Sequence, residues 1–211
     1  MNCRITLLKG DGIGPEVIDG ATAVLNAVER KFGHDFGLSP MPFGGNALDL
    51  TGVPLPEETL NACKRSDAVL VGAVGGPQWN DIKPHNRPER ALISLRSALG
   101  LYAGLYPAVL YPALAPASAL RADVAKRGAD ILRVRELSGG IYNGEHGYRD
   151  GALGQEAYDT DVYSISAVER IADMAFELAR TRKRRVASVD KANVLTASKL
   201  WRATACSDRK S

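Results

Sequence analysis

The sequence predicts an α/β fold built on an open parallel or mixed sheet, and three observations carry that prediction. A short β-prone run at 3–8 stops at a glycine-rich turn and gives way to a helical pattern, the opening of a βαβ unit. The run DAVLVGAV at 67–74 is almost continuously apolar, as a parallel strand covered on both faces should be. Runs at 129–134 and 186–189 repeat that composition, the second just after an amphipathic helical segment.

Along the chain, Val17, Ile18, Ala21, Val24, Leu25 and Val28 share one face of the first helix, and Pro15 suits its first turn. The turn ahead of it reads GDGIGP, so Pro15 stands where the last glycine of a GxGxxG dinucleotide fingerprint would be, and an ordinary Rossmann site is disfavoured. A later helix carries Val168, Ile171, Ala172, Ala175, Phe176 and Ala179 on one face, with Ser166 and Glu169 at capping-box spacing. The stretches 75–89 and 139–163 read as long loops, the first punctuated by Pro77, Pro84 and Pro88, the second by glycines and tyrosines. The pattern breaks at Gly100 and Gly104, which predicts two domains, 1–101 and 102–211. There is no internal repeat or low-complexity tract.

Composition narrows the class. The chain has 211 residues, 45% hydrophobic, 24% charged and 6% aromatic, the profile of a globular protein. A chain of this size buries about 70% of its unfolded surface, so it needs neither disulfide nor structural metal. Cys3, Cys63 and Cys206 are odd in number and widely spaced, and they read as free thiols of a reducing compartment. A net charge of +3 is too mild to imply a nucleic-acid partner. The basic run 180–185 reads as a solvated helix end rather than a nucleic-acid patch. No apolar stretch approaches the roughly 20 residues of a membrane span, and a cytoplasmic protein is expected. His34, His85 and His146 lack ligand-like spacing, so no metal site is assigned to them.

Seven ordered blocks carry a resemblance: GDGIGPEV, TGVPLPEETL, VGAVGGPQW, RPERALISLR, RELSGGIYNGE, EAYDTDVYS and SVDKANVL. Together they closely resemble the NAD-dependent β-decarboxylating dehydrogenases, the isocitrate/isopropylmalate dehydrogenase family, and within it the isopropylmalate branch. That resemblance implies oxidative decarboxylation of 3-isopropylmalate to 4-methyl-2-oxopentanoate, a step of leucine biosynthesis, with NAD and Mg2+ or Mn2+ as cofactors. Such chemistry requires cations for carboxylates, a base for the hydroxyl and an acid for the enol. Arg96 and Arg135 match the family's carboxylate-binding arginines, whose planar fork grips a carboxylate at two points.

Lys191 matches the catalytic lysine that takes the hydroxyl proton, and Tyr142 matches the catalytic tyrosine that protonates the enol. Asn193 matches a position near nicotinamide and substrate. Glu89, Leu92 and Ile93 match positions facing the isopropyl side and the nicotinamide ribose, where an apolar pair shelters an aliphatic branch. An apolar pocket separates neighbouring alkyl groups by only about 1–3 kcal/mol, so activity on related malates is expected. The NAD-contacting stretch matches Gly76, Pro77, Gln78, Trp79, Asn80, Asp81, Ile82, Lys83, Pro84, His85, Asn86, Arg87, Pro88 and Glu89.

Two departures from the family pattern stand out. Where the family reads LRP, this chain reads Leu105-Tyr106-Pro107; a phenol donates a hydrogen bond but supplies no charge, so weaker substrate affinity is expected. The family's metal-binding aspartates and adenosine-binding loop lie beyond the lysine block, so the chain is expected to be incomplete at its C-terminus, with both domains unfinished and no metal ligand of its own. A first domain left unfinished exposes apolar faces. The complete enzyme is expected to be a homodimer without nucleic-acid or membrane partners. The alternatives are a dehydrogenase for malate, tartrate or homoisocitrate, or a non-catalytic truncated remnant that associates with a partner subunit.

Overall fold

The computed structural model describes residues 1–83 and 86–207. The chain divides into two compact units that meet between Gly100 and Leu101.

In the first unit, β1 (Asn2–Gly10), β2 (Asp35–Pro40) and β3 (Ala68–Ala73) form a parallel sheet in the order β2-β1-β3. Residues alternate across a strand, so β1 divides its apolar side chains between two layers. Ile5 and Leu7 meet Ile18 of α1 (Gly14–Phe32), while Leu8 joins Phe43, Cys63, Ala91 and Leu95 on the other side. The second layer is completed by α2 (Gly45–Thr51), α3 (Glu57–Arg65) and α4 (Pro88–Ala98). The strand covered on both faces is thus β1. The parallel strand expected at 67–74 forms as β3, but its side chains are only partly buried because β1 is its single strand neighbour among the described residues.

Helix α1 starts as expected, with Pro15 in its first turn, and ends on Gly33 in the left-handed conformation. Its apolar face is narrower than the sequence suggested: Ile18 and Leu25 pack on the sheet, whereas Val17 and Val24 stay exposed. Gly14 is required by proximity, since a Cβ there would lie 2.1 Å from the Lys9 carbonyl oxygen.

In the second unit, β4 (Ala103–Leu110) and β5 (Ala129–Glu136) form an antiparallel ribbon, and β6 (His146–Gly151) and β7 (Gly154–Asp159) form a hairpin. A short helix α5 (Ala122–Arg127) precedes β5. Helix α6 (Ile165–Arg180) buries Ala167, Val168, Ile171, Ala172 and Ala179 at helical spacing, and packs on β5 and on α7 (Thr196–Ser207).

Four expectations are corrected here. The run at 129–134 is a strand, but an antiparallel one paired with β4. The run at 186–189 forms no strand; no neighbouring strand pairs with it among the described residues, and Val189 is 88% exposed. The supposed loop 139–163 contains the β6–β7 hairpin, invisible to periodicity because HGYRDG and GQEAYD bury neither face. The α6 cap is Ser164, which accepts from the Ala167 N–H; the helix starts at Ile165, so Glu169 falls too far into it to close a box with Ser166. The three cysteines are free, and burial pushes the Cys63 thiol up. No helix among the described residues is long and apolar enough to cross a membrane.

Candidate active site

In the first unit the strand-to-helix turn is organised by one carboxylate. Asp11 is 4% exposed, and its oxygens accept the N–H groups of Gly45 at 2.8 Å, Asn46 at 2.7 Å and Gly75 at 2.8 Å. It joins the end of β1, the first turn of α2 and the chain leaving β3. Gly75 has φ +97°, a conformation that penalises any side chain, and a Cβ there would meet the Glu89 carboxylate at 2.3 Å. The first residues of the expected cofactor stretch therefore start from a held backbone.

Within that stretch, Pro77, Gln78 and Trp79 form a 3-10 turn. The Trp79 indole is buried against Gly45 and donates to Asp49 Oδ1 at 3.1 Å, so this side chain is a packing anchor. Gly76 is half-buried, and a Cβ on it would reach Trp79 at 3.1 Å. Asn80, Asp81 and Lys83 are exposed and Ile82 and Asn86 half-buried, while the Arg87 guanidinium donates to the Asn80 carbonyl at 3.1 Å. Pro88 is fully buried at the start of α4. Pro84 and His85 lie outside the described residues.

On α4, Glu89, Leu92, Ile93 and Arg96 are spaced i, i+3, i+4 and i+7, which places them along one stripe. The stripe borders the face that buries Ala91 and Leu95. Leu92 also packs against that core, so it serves packing as well as any ligand. Ile93 and Arg96 are half-buried, and Arg96 forms no ion pair among the described residues.

In the second unit the turn after β5 is again built on a carboxylate. Glu136, 6% exposed, accepts the N–H groups of Ser138 at 2.8 Å and Gly139 at 2.7 Å, and the Ser138 hydroxyl as well. The turn brings Tyr142 back to β5, where the Arg135 guanidinium lies 5.4 Å from the centre of its ring. The candidate carboxylate ligand and the candidate acid are thus neighbours. Both are exposed, and Arg135 has no ion-pair partner among the described residues.

Lys191 and Asn193 occupy the turn before α7 and are both exposed. The Val194 and Leu195 N–H groups bond to the Lys191 carbonyl at 3.0 Å, closing the turn. Asp190 ties it down, accepting from the Ala192 N–H at 2.9 Å and from Arg202 at 2.6 and 3.0 Å. The Arg202 guanidinium, helped by that N–H, holds the Asp190 carboxyl below its usual range.

A model of the isocitrate/isopropylmalate dehydrogenase family matches residues 4–211. The chain belongs to this family. It is 53% identical over 205 residues to a 3-isopropylmalate dehydrogenase of Nitratidesulfovibrio vulgaris, covering 96% of this chain and 57% of that protein. The corresponding Geobacillus kaustophilus enzyme is 54% identical, covering 97% of this chain and 55% of the relative. Among solved structures, an isocitrate dehydrogenase from Methylococcus capsulatus superposes with TM-score 0.80 at 28% identity, covering 99% of this chain and 57% of that one. A β-decarboxylating dehydrogenase from Thermococcus kodakarensis gives TM-score 0.69 at 33% identity, covering 99% of this chain and 55% of that one. The chain spans 55–57% of the length of these relatives.

The family resemblance implies a nicotinamide dinucleotide and a divalent metal. The chain leaving β3, where the resemblance places the dinucleotide, is held by Asp11 and Trp79, and the space beside Gly75 and Gly76 is taken by the Glu89, Gln78 and Trp79 side chains. A divalent metal has no counterpart among the described residues, where no three His, Cys, Asp or Glu side chains gather to hold one. Sequence reasoning missed the carboxylates that support the dehydrogenase turns, Asp11, Glu136 and Asp190. Asp11 and Glu136 sit inside the recognised blocks GDGIGPEV and RELSGGIYNGE, and a buried acid beside glycines was the available signal.

Proposed function

We propose that this chain carries the substrate-recognition and proton-transfer residues of an NAD-dependent 3-isopropylmalate dehydrogenase, which oxidises and decarboxylates 3-isopropylmalate to 4-methyl-2-oxopentanoate. The observation that carries the reading is the placement of Arg135 over the Tyr142 ring, a carboxylate-binding cation beside an acid. On this reading Arg96 and Arg135 hold substrate carboxylates, each by a two-point contact. Lys191 accepts the hydroxyl proton as the alcohol becomes a ketone. Tyr142 delivers a proton to the enol carbon after CO2 leaves, and Asn193 positions the substrate near the dinucleotide. On the same reading Glu89, Leu92 and Ile93, which share one stripe of α4, face the aliphatic branch and the nicotinamide ribose.

A bound NAD would supply the hydride acceptor, and the described residues of the stretch from Gly76 to Glu89 would hold it. The described residues gather no ligand set for Mg2+ or Mn2+. The reading includes a cytoplasmic homodimer in leucine biosynthesis, and its support is family membership together with a hairpin that leaves Tyr148 and Leu153 exposed.

The test is NAD reduction by the purified chain, with Mg2+ or Mn2+, on 3-isopropylmalate, malate, tartrate and homoisocitrate. Preference for 3-isopropylmalate, lost in Lys191→Met and Tyr142→Phe, supports the reading. Preference for another diacid moves the substrate assignment to that acid. Absence of turnover on all four, with binding to a full-length relative's subunit, replaces catalysis by a non-catalytic associating role.

A further inference from the structure

We infer that Arg133 is a substrate-carboxylate ligand that supplies, from the opposite strand, the positive charge that position 106 lacks. The inference rests on the reading above and adds a residue to its site.

The β4–β5 register pairs Tyr106 directly with Arg133, and Gly104 directly with Arg135. Directly opposed residues of an antiparallel pair project to the same face, about 5 Å apart at Cβ. Residues two apart on a strand share a face as well, so Arg133 and Arg135 stand side by side. Both are exposed, whereas Leu132, Val134 and Glu136 turn to the more buried side.

The rings on that face hold the two cations. The Arg133 guanidinium lies 5.2 Å from the centre of the Tyr106 ring, as Arg135 lies 5.4 Å from that of Tyr142. Tyr106 folds back over Gly104; a Cβ on that glycine would be 2.6 Å from its ring. A guanidinium over an aromatic face keeps the N–H donors along its edge free, which is what two-point recognition of a carboxylate needs.

Charge points the same way. Arg149, Arg180, Arg182 and Arg202 each pair with a carboxylate, but neither Arg133 nor Arg135 does among the described residues. Two adjacent unneutralised guanidiniums, held by rings on the face that carries Arg135, suit an anion with two carboxylates. Tyr106 then orients a cation instead of replacing one, and the weaker affinity expected from its phenol is offset by Arg133.

The experiment is calorimetric titration of 3-isopropylmalate into the 211-residue chain, comparing Arg133→Gln, Arg133→Lys, Arg135→Gln and Arg149→Gln, with a melting curve for each. Arg133→Gln is expected to raise Kd about tenfold, a step of about 1.4 kcal/mol, without changing the melting curve. Arg133→Lys should retain part of the affinity and Arg149→Gln all of it. Tyr106→Arg in the Arg133→Gln background should restore binding, a rescue that a merely structural role of Arg133 would not give. Unchanged binding in Arg133→Gln alongside weakened binding in Arg135→Gln overturns this inference and leaves the proposed function standing. No binding of 3-isopropylmalate by the unsubstituted chain overturns both.

Discussion

Trp201 stands edge-on to Tyr163, with ring centres 5.1 Å apart and planes inclined by 74°. This pair connects the two turns that carry the candidate base and acid of the second unit. Tyr163 lies against the Gly139–Gly140 turn, where added Cβ atoms would come within 2.9 and 2.8 Å of it. Trp201 lies on α7, just after the Lys191 turn, and its indole donates to Ser188 Oγ at 3.1 Å.

Removing the indole is therefore expected to loosen both turns. Trp201→Ala should cost about 2 kcal/mol, less than a fully buried tryptophan because Trp201 is only half-buried. Trp201→Phe should recover about half. Urea unfolding of the variants measures this, and a loss below about 0.5 kcal/mol would remove the pair from the account of stability.

Glu136 makes a sharper case, because its acceptors serve backbone donors with no alternative partner in the turn. Glu136→Gln turns an amide N–H2 toward one of those donors and should cost about 2 kcal/mol. Ser138→Ala removes the hydroxyl that donates to Glu136 and accepts from Arg170, leaves the backbone bonds in place, and should cost about 1 kcal/mol. Thermal melts of the two variants give the ranking, and equal losses would contradict it.

Asp11 collects Gly45, Asn46 and Gly75 on two oxygens. Asp11→Ala should cost about 3 kcal/mol or more, a large share of the roughly 5–15 kcal/mol that holds a domain folded. Asp11→Asn should be milder. Amide hydrogen exchange at Gly45 and Gly75 reads the effect locally, and protection that survives Asp11→Ala would show the turn to be held otherwise.

Acid should release the Lys191 turn. With Arg202 holding the Asp190 carboxyl below its usual range, the unfolded chain takes up this proton first as pH falls. The stability that Asp190 supplies is thus complete above the ordinary aspartate value of about 3.9 and disappears as pH drops through the depressed native value. The difference between the unsubstituted chain and Asp190→Asn should be flat near neutrality and shrink below about pH 4. A difference independent of pH down to full protonation would refute the pairing.

Local pattern sufficed for those elements whose stabilising contacts repeat along the chain. The first strand and β3 carry short apolar runs, and the helix after Pro15 and α6 set their apolar residues at helical spacing. The β6–β7 hairpin has no buried face and so no period to read. The expected parallel direction of β5 fails for a related reason: an apolar run records burial, while its direction depends on β4, which is joined to it through α5.

The candidate site divides the same way. The sequence alone determined the α/β class and the recognised blocks, and it supplied Arg96, Arg135, Tyr142 and Lys191 as candidates, since those reside in the order of the residues. Tertiary structure alone decided which carboxylates hold the turns and which cation faces Tyr106. Asp11 reaches across to Gly75, Arg182 to Asp130, and Arg133 to its cross-strand partner, and such contacts exist only once the backbone has brought distant segments within hydrogen-bonding or stacking reach.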